Sequence, residues 1–236
     1  MTSAYGQAVL NEDSTGRDYS SSLPYIPLIR NLPNGRVVKI DFIRNQHDIA
    51  AVRTLLNDVI KEGMSWPFER PLTDFEFRSY FFSHTALVAR NSSGAVIGAF
   101  YCKPNFPGRC AHYCNGGFIT DPGYRRQGVA SLMGTVFLQV AKDLEFKAVL
   151  FNLVFSSNVA SLRLWEKLGF KKLARLPRVG NLREGYSDAI QYYYDLENGC
   201  REQRTNFRSK LRRALPQVSL VVVAFLAGRL SATIST

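Results

Sequence analysis

The chain has 236 residues, 46% of them hydrophobic and 12% aromatic, which suits one large domain with a tail and excludes both global disorder and a pair of full catalytic domains. Lys and Arg number 30 against 19 Asp and Glu, a formal net charge of +11 that favours polyanionic partners (nucleotides, phosphorylated cofactors, nucleic acid or anionic lipid) without choosing among them. Four cysteines, Cys102, Cys110, Cys114 and Cys200, none in a CxxC pair, exclude a disulfide scaffold and point to a reducing compartment.

Residues 1–35 lack a basic stretch followed by an apolar one, so no secretory signal is expected. Rich in Ser, Asn, Gly, Pro and Tyr, they read as a flexible lead-in, and Glu12, Asp13 and Asp18 argue against a mitochondrial presequence. The expected placement is intracellular and cytoplasmic, with a mitochondrial one left open. Val37–Ile43 alternates as a strand, and Gln46–Gly63 carries Ile49, Val52, Leu56, Val59 and Ile60 at helical spacing. Pro71–His84 opens on a cap-like Thr73-Asp74 and predicts a second helix with an aromatic face. Ala86–Arg90 and Val96–Cys102 flank Asn91-Ser92-Ser93-Gly94 as a hairpin, and Lys103–Arg109 reads as a loop. Tyr113–Thr120 predicts a buried strand, Gln127–Leu144 a long helix, Ala148–Phe155 an almost wholly apolar strand broken by Asn152, and Val159–Leu168 a helix. Gly169–Leu176 and Ala189–Leu196 read as closing strands. A hairpin meander joined to one βαβ unit predicts an α/β (α+β) fold, a mixed sheet with helices on its faces.

Residues 197–236 form a separate extension. Arg201–Arg213 holds six basic residues against Glu202 alone, and Val218–Gly228 has Ser219 as its only polar side chain among eleven. Three readings stay open for it: a weak membrane contact, a helix packed on the domain or a partner subunit, and an appendix with no chemical role. The extension carries +5 of the +11, seven Lys and Arg against two Glu. The remaining +6 is moderate and suits a small polyanionic ligand, and no nucleic-acid partner is expected.

Chemistry concentrates in two places. The first is a strand, a turn and then Arg125-Arg126-Gln127-Gly128-Val129-Ala130 at the head of a helix. A helix start leaves about four backbone N–H groups unpartnered and carries a partial positive charge. A glycine there, with a small residue after it, lets a phosphate approach. Neither GxxxxGK[ST] nor GxGxxG is present, so a P-loop and a dinucleotide fingerprint are excluded. An ordinary strand–helix turn is the competing reading. The second is Asn158-Val-Ala-Ser161-Leu-Arg-Leu-Trp165-Glu-Lys167-Leu168-Gly169-Phe170, which on its own is also an amphipathic helix ended by glycine.

In this order and at this distance the two segments resemble the GNAT family of N-acetyltransferases. Arg125, Gly128 and Ala130 match the family's [Q/R]xxGx[G/A] loop; Asn158, Ser161, Leu164, Trp165, Lys167, Gly169 and Phe170 match its second pattern. The resemblance covers residues 36–196, which would be the catalytic domain. It implies a sheet splayed between its fourth and fifth strands with acetyl-CoA wedged there. The pyrophosphate would lie on the Arg126–Ala130 turn, and Arg125, Gln127, Asn158 and Ser161 would share in holding the carrier.

Phe100-Tyr101-Cys102-Lys103-Pro104-Asn105, the segment Arg109–Phe118 and Phe151-Asn152-Leu153-Val154-Phe155 look like the fungal N-acetyltransferases that act on proline analogues such as azetidine-2-carboxylate. That likeness implies that Asn115 and Asn152 hold and orient the substrate, that Asn158 touches the pantetheine arm, and that the protein is a homodimer. It implies a small-molecule amine as acceptor, with a secondary-metabolite amine as the alternative. A non-catalytic binding module recruited by its basic tail is the alternative of another class. The apolar extension departs from that subfamily.

Acetyl transfer needs a neutral amine, a donor to the thioester oxygen and a proton or dipole for the leaving thiolate. Asn152 is expected to face the gap, Asn115 on the facing strand to bind a substrate carboxylate, and the Leu153 N–H to serve the thioester oxygen. Many relatives place a Tyr acid where this chain has Trp165, so Tyr192–Tyr194, a water or positioning alone would have to substitute. His112 is a further option as base. With Cys110 and Cys114 it also suggests a metal, but no fourth ligand is in view and no metal is expected; a His packed among apolar thiols is the competing state.

Overall fold

A computed structural model describes residues 19–199. The basic and apolar extension beyond residue 199 lies outside the described residues. Eight strands form one sheet: β1 (Leu28–Asn31), β2 (Val37–Phe42), β3 (Thr85–Arg90), β4 (Val96–Pro104), β5 (Tyr113–Thr120), β6 (Ala148–Phe155), β7 (Lys171–Leu182) and β8 (Gly185–Asp195). They lie in the order β1-β2-β3-β4-β5-β6-β8-β7. Neighbours are antiparallel except β5 and β6, the ends of the βαβ unit. Four helices cover the sheet: α1 (Gln46–Glu62), α2 (Asp74–Phe81), α3 (Val129–Asp143) and α4 (Val159–Lys167).

Strand alternation divides the core into two layers. Ala99, Tyr101 and Ile119 face α1 and α2, while Phe100, Cys102 and Cys114 face α3 and Trp165 of α4. Local chemistry fixes the helix ends. Asn45 caps α1 by accepting from the Asp48 N–H, and Gly63 ends it at φ 69°. Thr73 and Glu76 form a reciprocal capping box at the head of α2. Asn158 caps α4 through the Ser161 N–H. Only α3 begins without a side-chain cap, on Gly128 at φ 97°.

The sheet departs from the sequence reading at both ends. Much of the expected flexible lead-in is packed: β1 pairs with β2 over Leu28–Asn31, and Leu23, Ile26 and Leu32 are buried in the core. Prolines and serines hid a four-residue edge strand whose apolar anchors lie outside it. The closing strands are also longer than periodicity suggested, β7 reaching Leu182 and β8 starting at Gly185. Pro177 falls where the pairing register shifts between Leu176 and Gly180, a position at which an edge strand tolerates proline. The tip of this hairpin docks on α1: the Arg183 N–H donates to the Gly63 carbonyl at 3.0 Å. Cys110, His112 and Cys114 do not share a face. Cys110 sits in a 3₁₀ turn, His112 is exposed against Tyr113, and Cys114 is buried. His112 is thus neither packed among thiols nor directed at the gap. Among the described residues no three His, Cys, Asp or Glu side chains group to hold a metal, and no helix is long and apolar enough to cross a membrane.

Candidate active site

β5 and β6, the fourth and fifth strands expected from the sequence, pair only at Tyr113–Ala148 and Cys114–Val149, then part. The opening is a cleft of about 530 Å³. Asn115–Thr120 forms one wall and Phe151–Phe155 the other. One end lies against the head of α3 and the first turns of α4; the other lies against Val59 and Glu62 of α1, the Met64–Pro67 turn, Tyr80 and Tyr101.

The wall on β6 is bulged. Phe151 pairs with Tyr192 and Val154 with Ile190, so Asn152 and Leu153 sit in a register shift out of the regular ladder. Asn152 lines the cleft, but its amide is already engaged: Asn105 Nδ2 donates to Asn152 Oδ1 at 2.9 Å, and Asn152 Nδ2 donates to Asn105 Oδ1 at 2.7 Å. This reciprocal pair ties the end of β4 to the bulge and fixes which way the Asn152 amide points. One N–H and one lone pair of Asn152 remain. Asn115 is buried in the facing wall, and its Oδ1 accepts from the Gly116 N–H at 2.8 Å.

At the other end the α3 terminus presents main chain. No hydrogen bond among the described residues uses the N–H groups of Arg126, Gln127, Gly128, Val129, Ala130 or Ser131. Four of these six donors, from Gly128 to Ser131, cluster at the uncapped helix head and fit a phosphate group. The flanking side chains mostly hold this loop in shape. Arg125 pairs with Glu62 of α1 at 2.6 Å, so its charge is offset. Arg126 is exposed and adopts φ 60°. Gln127 Nε2 donates to the Gly123 carbonyl at 2.8 Å, and its Oε1 accepts from Arg36 at 2.6 Å. The Val129 side chain is buried in the core.

Of the residues expected in the site, Asn115, Asn152, Leu153, Arg125, Ala130, Asn158 and Ser161 all line the cleft. Arg126, Gln127, Gly128 and Val129 do not. Asn158 spends its oxygen on the α4 cap. Trp165 is buried against Phe118 and Phe151, at ring distances of 4.8 and 4.6 Å, and seals the floor.

Tyr192, Tyr193 and Tyr194, expected as substitutes for the family's acid, do not line the cleft. Tyr192 is buried on the far side of β6 and donates to Glu166 at 3.1 Å; burial and that carboxylate push its hydroxyl up to about 12. The phenols that do line the cleft are Tyr80 and Tyr101, whose hydroxyls lie 2.8 Å apart. Beneath them lies Lys103, with Nζ 4.0 Å from the Tyr80 ring centre and 4.6 Å from that of Tyr101. Trp66 completes this aromatic end, packed on Tyr80 at 5.8 Å. Gly117 makes room for it, since a Cβ there would lie 2.5 Å from Tyr101 and 2.6 Å from Trp66. Sequence reading gave α2 an aromatic face without assigning Tyr80, Tyr101 or Trp66 to a site, and it put Lys103 in a loop, whereas β4 runs through it to Pro104.

Comparison with known proteins agrees with this geometry. Residues 52–170 match the model of the Acetyltransferase (GNAT) family. The N-acetyltransferase aca1 of Schizosaccharomyces pombe is 34% identical over 172 residues, covering 64% of this chain and 82% of that protein. A GCN5-related N-acetyltransferase from Kribbella flavida superposes with a TM-score of 0.63 at 23% identity, covering 67% of this chain and 97% of that one. A GNAT superfamily phosphinothricin acetyltransferase from Sinorhizobium meliloti, in complex with AcCoA, superposes with a TM-score of 0.63 at 18% identity, covering 69% and 90%.

Proposed function

The chain belongs to the GNAT family of acetyltransferases and uses acetyl-CoA, and we propose that its acceptor is a small cyclic amino acid of the proline type or a toxic analogue such as azetidine-2-carboxylate. The observation that carries this reading is the asymmetry of the cleft, with bare helix-head N–H groups at one end and an amide-and-aromatic box at the other. A box of Trp66, Tyr80 and Tyr101 suits a compact apolar ring, and the amides of Asn115 and Asn152 suit the polar groups of an amino acid.

In this reading the Gly128–Ser131 main chain receives the diphosphate of the carrier, and Ala130 leaves space for it. Asn158, with its oxygen held by the cap, offers its N–H groups to the pantetheine arm. The Leu153 N–H, displaced from the ladder by the bulge, donates to the thioester oxygen as charge builds there. Asn152, held by Asn105, aims the amine nitrogen at the thioester carbon. Among the described residues no His lines the cleft, and the one carboxylate that does, Glu62, is held by Arg125. The amine therefore enters neutral; as its C–N bond forms and the C–S bond breaks, its N–H proton passes through water to the departing CoA thiolate, and catalysis rests on positioning and on the donor at Leu153. An amine of pKa about 10 is mostly protonated at neutral pH. kcat/KM should accordingly climb close to tenfold per pH unit from 7 to 9, with no break from a catalytic histidine.

The test is thiol release from acetyl-CoA in the presence of azetidine-2-carboxylate, proline, linear amino acids and simple amines. Release with the cyclic amino acids above all others supports the reading. A preference for linear amino acids or polyamines would overturn it.

A further inference from the structure

We propose that a second cavity, behind the head of α3, is an effector site for a small monocarboxylate with an apolar body and no ammonium group, and that filling it weakens acetyl-CoA binding. The cavity measures about 270 Å³ and shares no lining residue with the cleft. It opens between β2, the turn from β3 to β4, and Tyr124. Leu32, part of its wall, backs the Gly128 turn, 3.7 Å from where a Cβ of Gly128 would stand.

The lining is divided in character. Leu32, Val38 and Ile97 make a buried apolar floor. Arg36, Asn91, Ser92 and Tyr124 make the rim, and no Asp or Glu lines it. Arg36 donates one N–H to Gln127 Oε1 at 2.6 Å; its guanidinium lies 5.8 Å from the Tyr124 ring centre and meets no carboxylate among the described residues. Asn91 Nδ2 donates to the Tyr124 hydroxyl at 2.9 Å, so that hydroxyl keeps its own proton to give. Asn91 cannot turn its oxygen to a ligand, because that oxygen takes the Ser93 and Ala95 N–H groups at 3.1 and 3.0 Å. The Ser92 hydroxyl has no partner among the described residues. One cation and two hydroxyls above an apolar floor suit a carboxylate on a small hydrocarbon body. A volume below the roughly 300–1,000 Å³ of drug-sized sites limits that body to about the size of an amino acid. A free amino acid would bring an ammonium beside the Arg36 cation, with no carboxylate in the wall to receive it. Acylation removes that charge. The acid of this class that the reaction itself supplies is its N-acetyl amino acid product, a step that rests on the acceptor proposed above.

Arg36 also braces the carrier loop. Gln127 links it to the Gly123 carbonyl, and the two bonds hold the turn that bares the N–H groups from Gly128 to Ser131. A carboxylate that draws Arg36 away slackens the brace and cancels a positive charge close to the diphosphate. Both effects have the same sign, and the carrier binds less well.

The experiment titrates N-acetylproline into the full-length protein by calorimetry, with proline and N-acetylprolinamide as comparators, and repeats the thiol-release assay at several concentrations of it. N-acetylproline should bind at least about tenfold more tightly than either comparator. It should raise KM for acetyl-CoA about five- to tenfold, the low end of coupling between sites, without relief from added acceptor. The rise should level off, as two coupled sites require. Arg36→Met should lose the binding, start from a raised KM for acetyl-CoA and respond no further. Tyr124→Phe should weaken the binding several-fold. A rise without limit would mean that probe and carrier compete for one site. Inhibition that acceptor lifts and that Arg36→Met keeps would put the probe in the cleft alone. Either result, or the absence of saturable heat, would overturn the inference. If Arg36→Met does not fold, Tyr124→Phe and the levelling-off decide the matter. Should the enzyme acetylate another class of amine, the proline-type acceptor fails, while the titration, which needs no turnover, still judges the cavity.

Discussion

The amide pair of Asn105 and Asn152 illustrates how a neutral side chain becomes a directed one. A lone asparagine can present either face of its amide, but two reciprocal bonds of 2.7 and 2.9 Å leave Asn152 one orientation. Removing Asn152 deletes the group that would aim the amine. Asn152→Ala should lower kcat by about 100-fold or more with the fold intact, the scale of losing a positioned polar group. Asn105→Ala leaves Asn152 in place but free to turn, and should cost about tenfold, rescued in part by Asn105→Gln; steady-state thiol release measures both. A second expectation concerns stability. The Lys103 ammonium has a folded pKa of about 8, below that of an unfolded lysine. Between the two values the unfolded chain binds the extra proton, so stability should rise with pH through that window and fall as pH drops back through 8. In Lys103→Met this rise should flatten by on the order of 2 kcal/mol, read from urea midpoints at pH 7.5 and 10.5 against wild type. At the level of residues, the sequence was legible where a motif demanded it. Gly128, Asn158 and Trp165 announced themselves by spacing. Tyr80, Tyr101 and Trp66 did not, because an aromatic side chain in a cleft and one in a core carry the same pattern, and only the strand register tells them apart.

Elements built from strong local signals were readable, whereas those held by tertiary pairing were not. The four helices, the five strands from β2 to β6 and the near halves of β7 and β8 follow from periodicity, caps and turns. β1 and the far half of the β7–β8 arm do not, since one is four residues long and the other is mostly exposed and interrupted by Pro177 and Gly180. The arm is nonetheless placed by specific contacts. Gly180 passes so close to Phe155 that a Cβ would lie 2.5 Å from its ring, and Asp188 accepts from the Arg178 N–H at 2.7 Å. Its tip meets Gly63, whose φ of 69° and 3.0 Å clearance to Arg183 leave no room for a side chain. Gly63 directly precedes the Met64–Pro67 turn of the cleft. Gly63→Ala should therefore cost about 1 kcal/mol from the left-handed backbone alone, and should raise KM for the acceptor more than KM for acetyl-CoA. The reverse pattern is expected at Gly128, where φ is 97° and a Cβ would lie 3.3 Å from Pro33. Gly128→Ala disturbs the helix head, so KM for acetyl-CoA should rise several-fold with acceptor KM little changed. Kinetics varied in both substrates separate the two.

Across the whole described domain, the cleft depends on holding its two ends at a fixed distance, and charges do part of that work. Arg125 and Glu62 tie the loop before α3 to the last turn of α1 at 2.6 Å. The start of α1 is anchored in turn to the sheet: both Asp48 oxygens accept from Arg90 of β3, at 2.9 and 2.7 Å, and one also takes the Arg44 N–H at 2.8 Å. Burial alone would raise the Asp48 carboxyl, but Arg90 and the Arg44 N–H more than reverse this and hold it below the usual carboxylate range. Asp41, beside it on β2, is lowered in the same way by Lys39 and Arg44. A carboxyl lowered in the folded state binds protons less tightly than in the unfolded chain. Its stabilisation is complete above the ordinary pKa near 4 and is lost as pH falls through the depressed value. The domain should therefore unfold steeply on acidification below about pH 4. Asp48→Asn should remove about 3 kcal/mol at neutral pH by stranding Arg90, and should make the acid branch of the profile shallower, because one of its titrating groups is gone. Urea unfolding from pH 3 to 7 on both proteins checks this. A neutral-pH loss with an unchanged acid slope would mean that Asp48 packs α1 without titrating, and that the acid sensitivity belongs to Asp41.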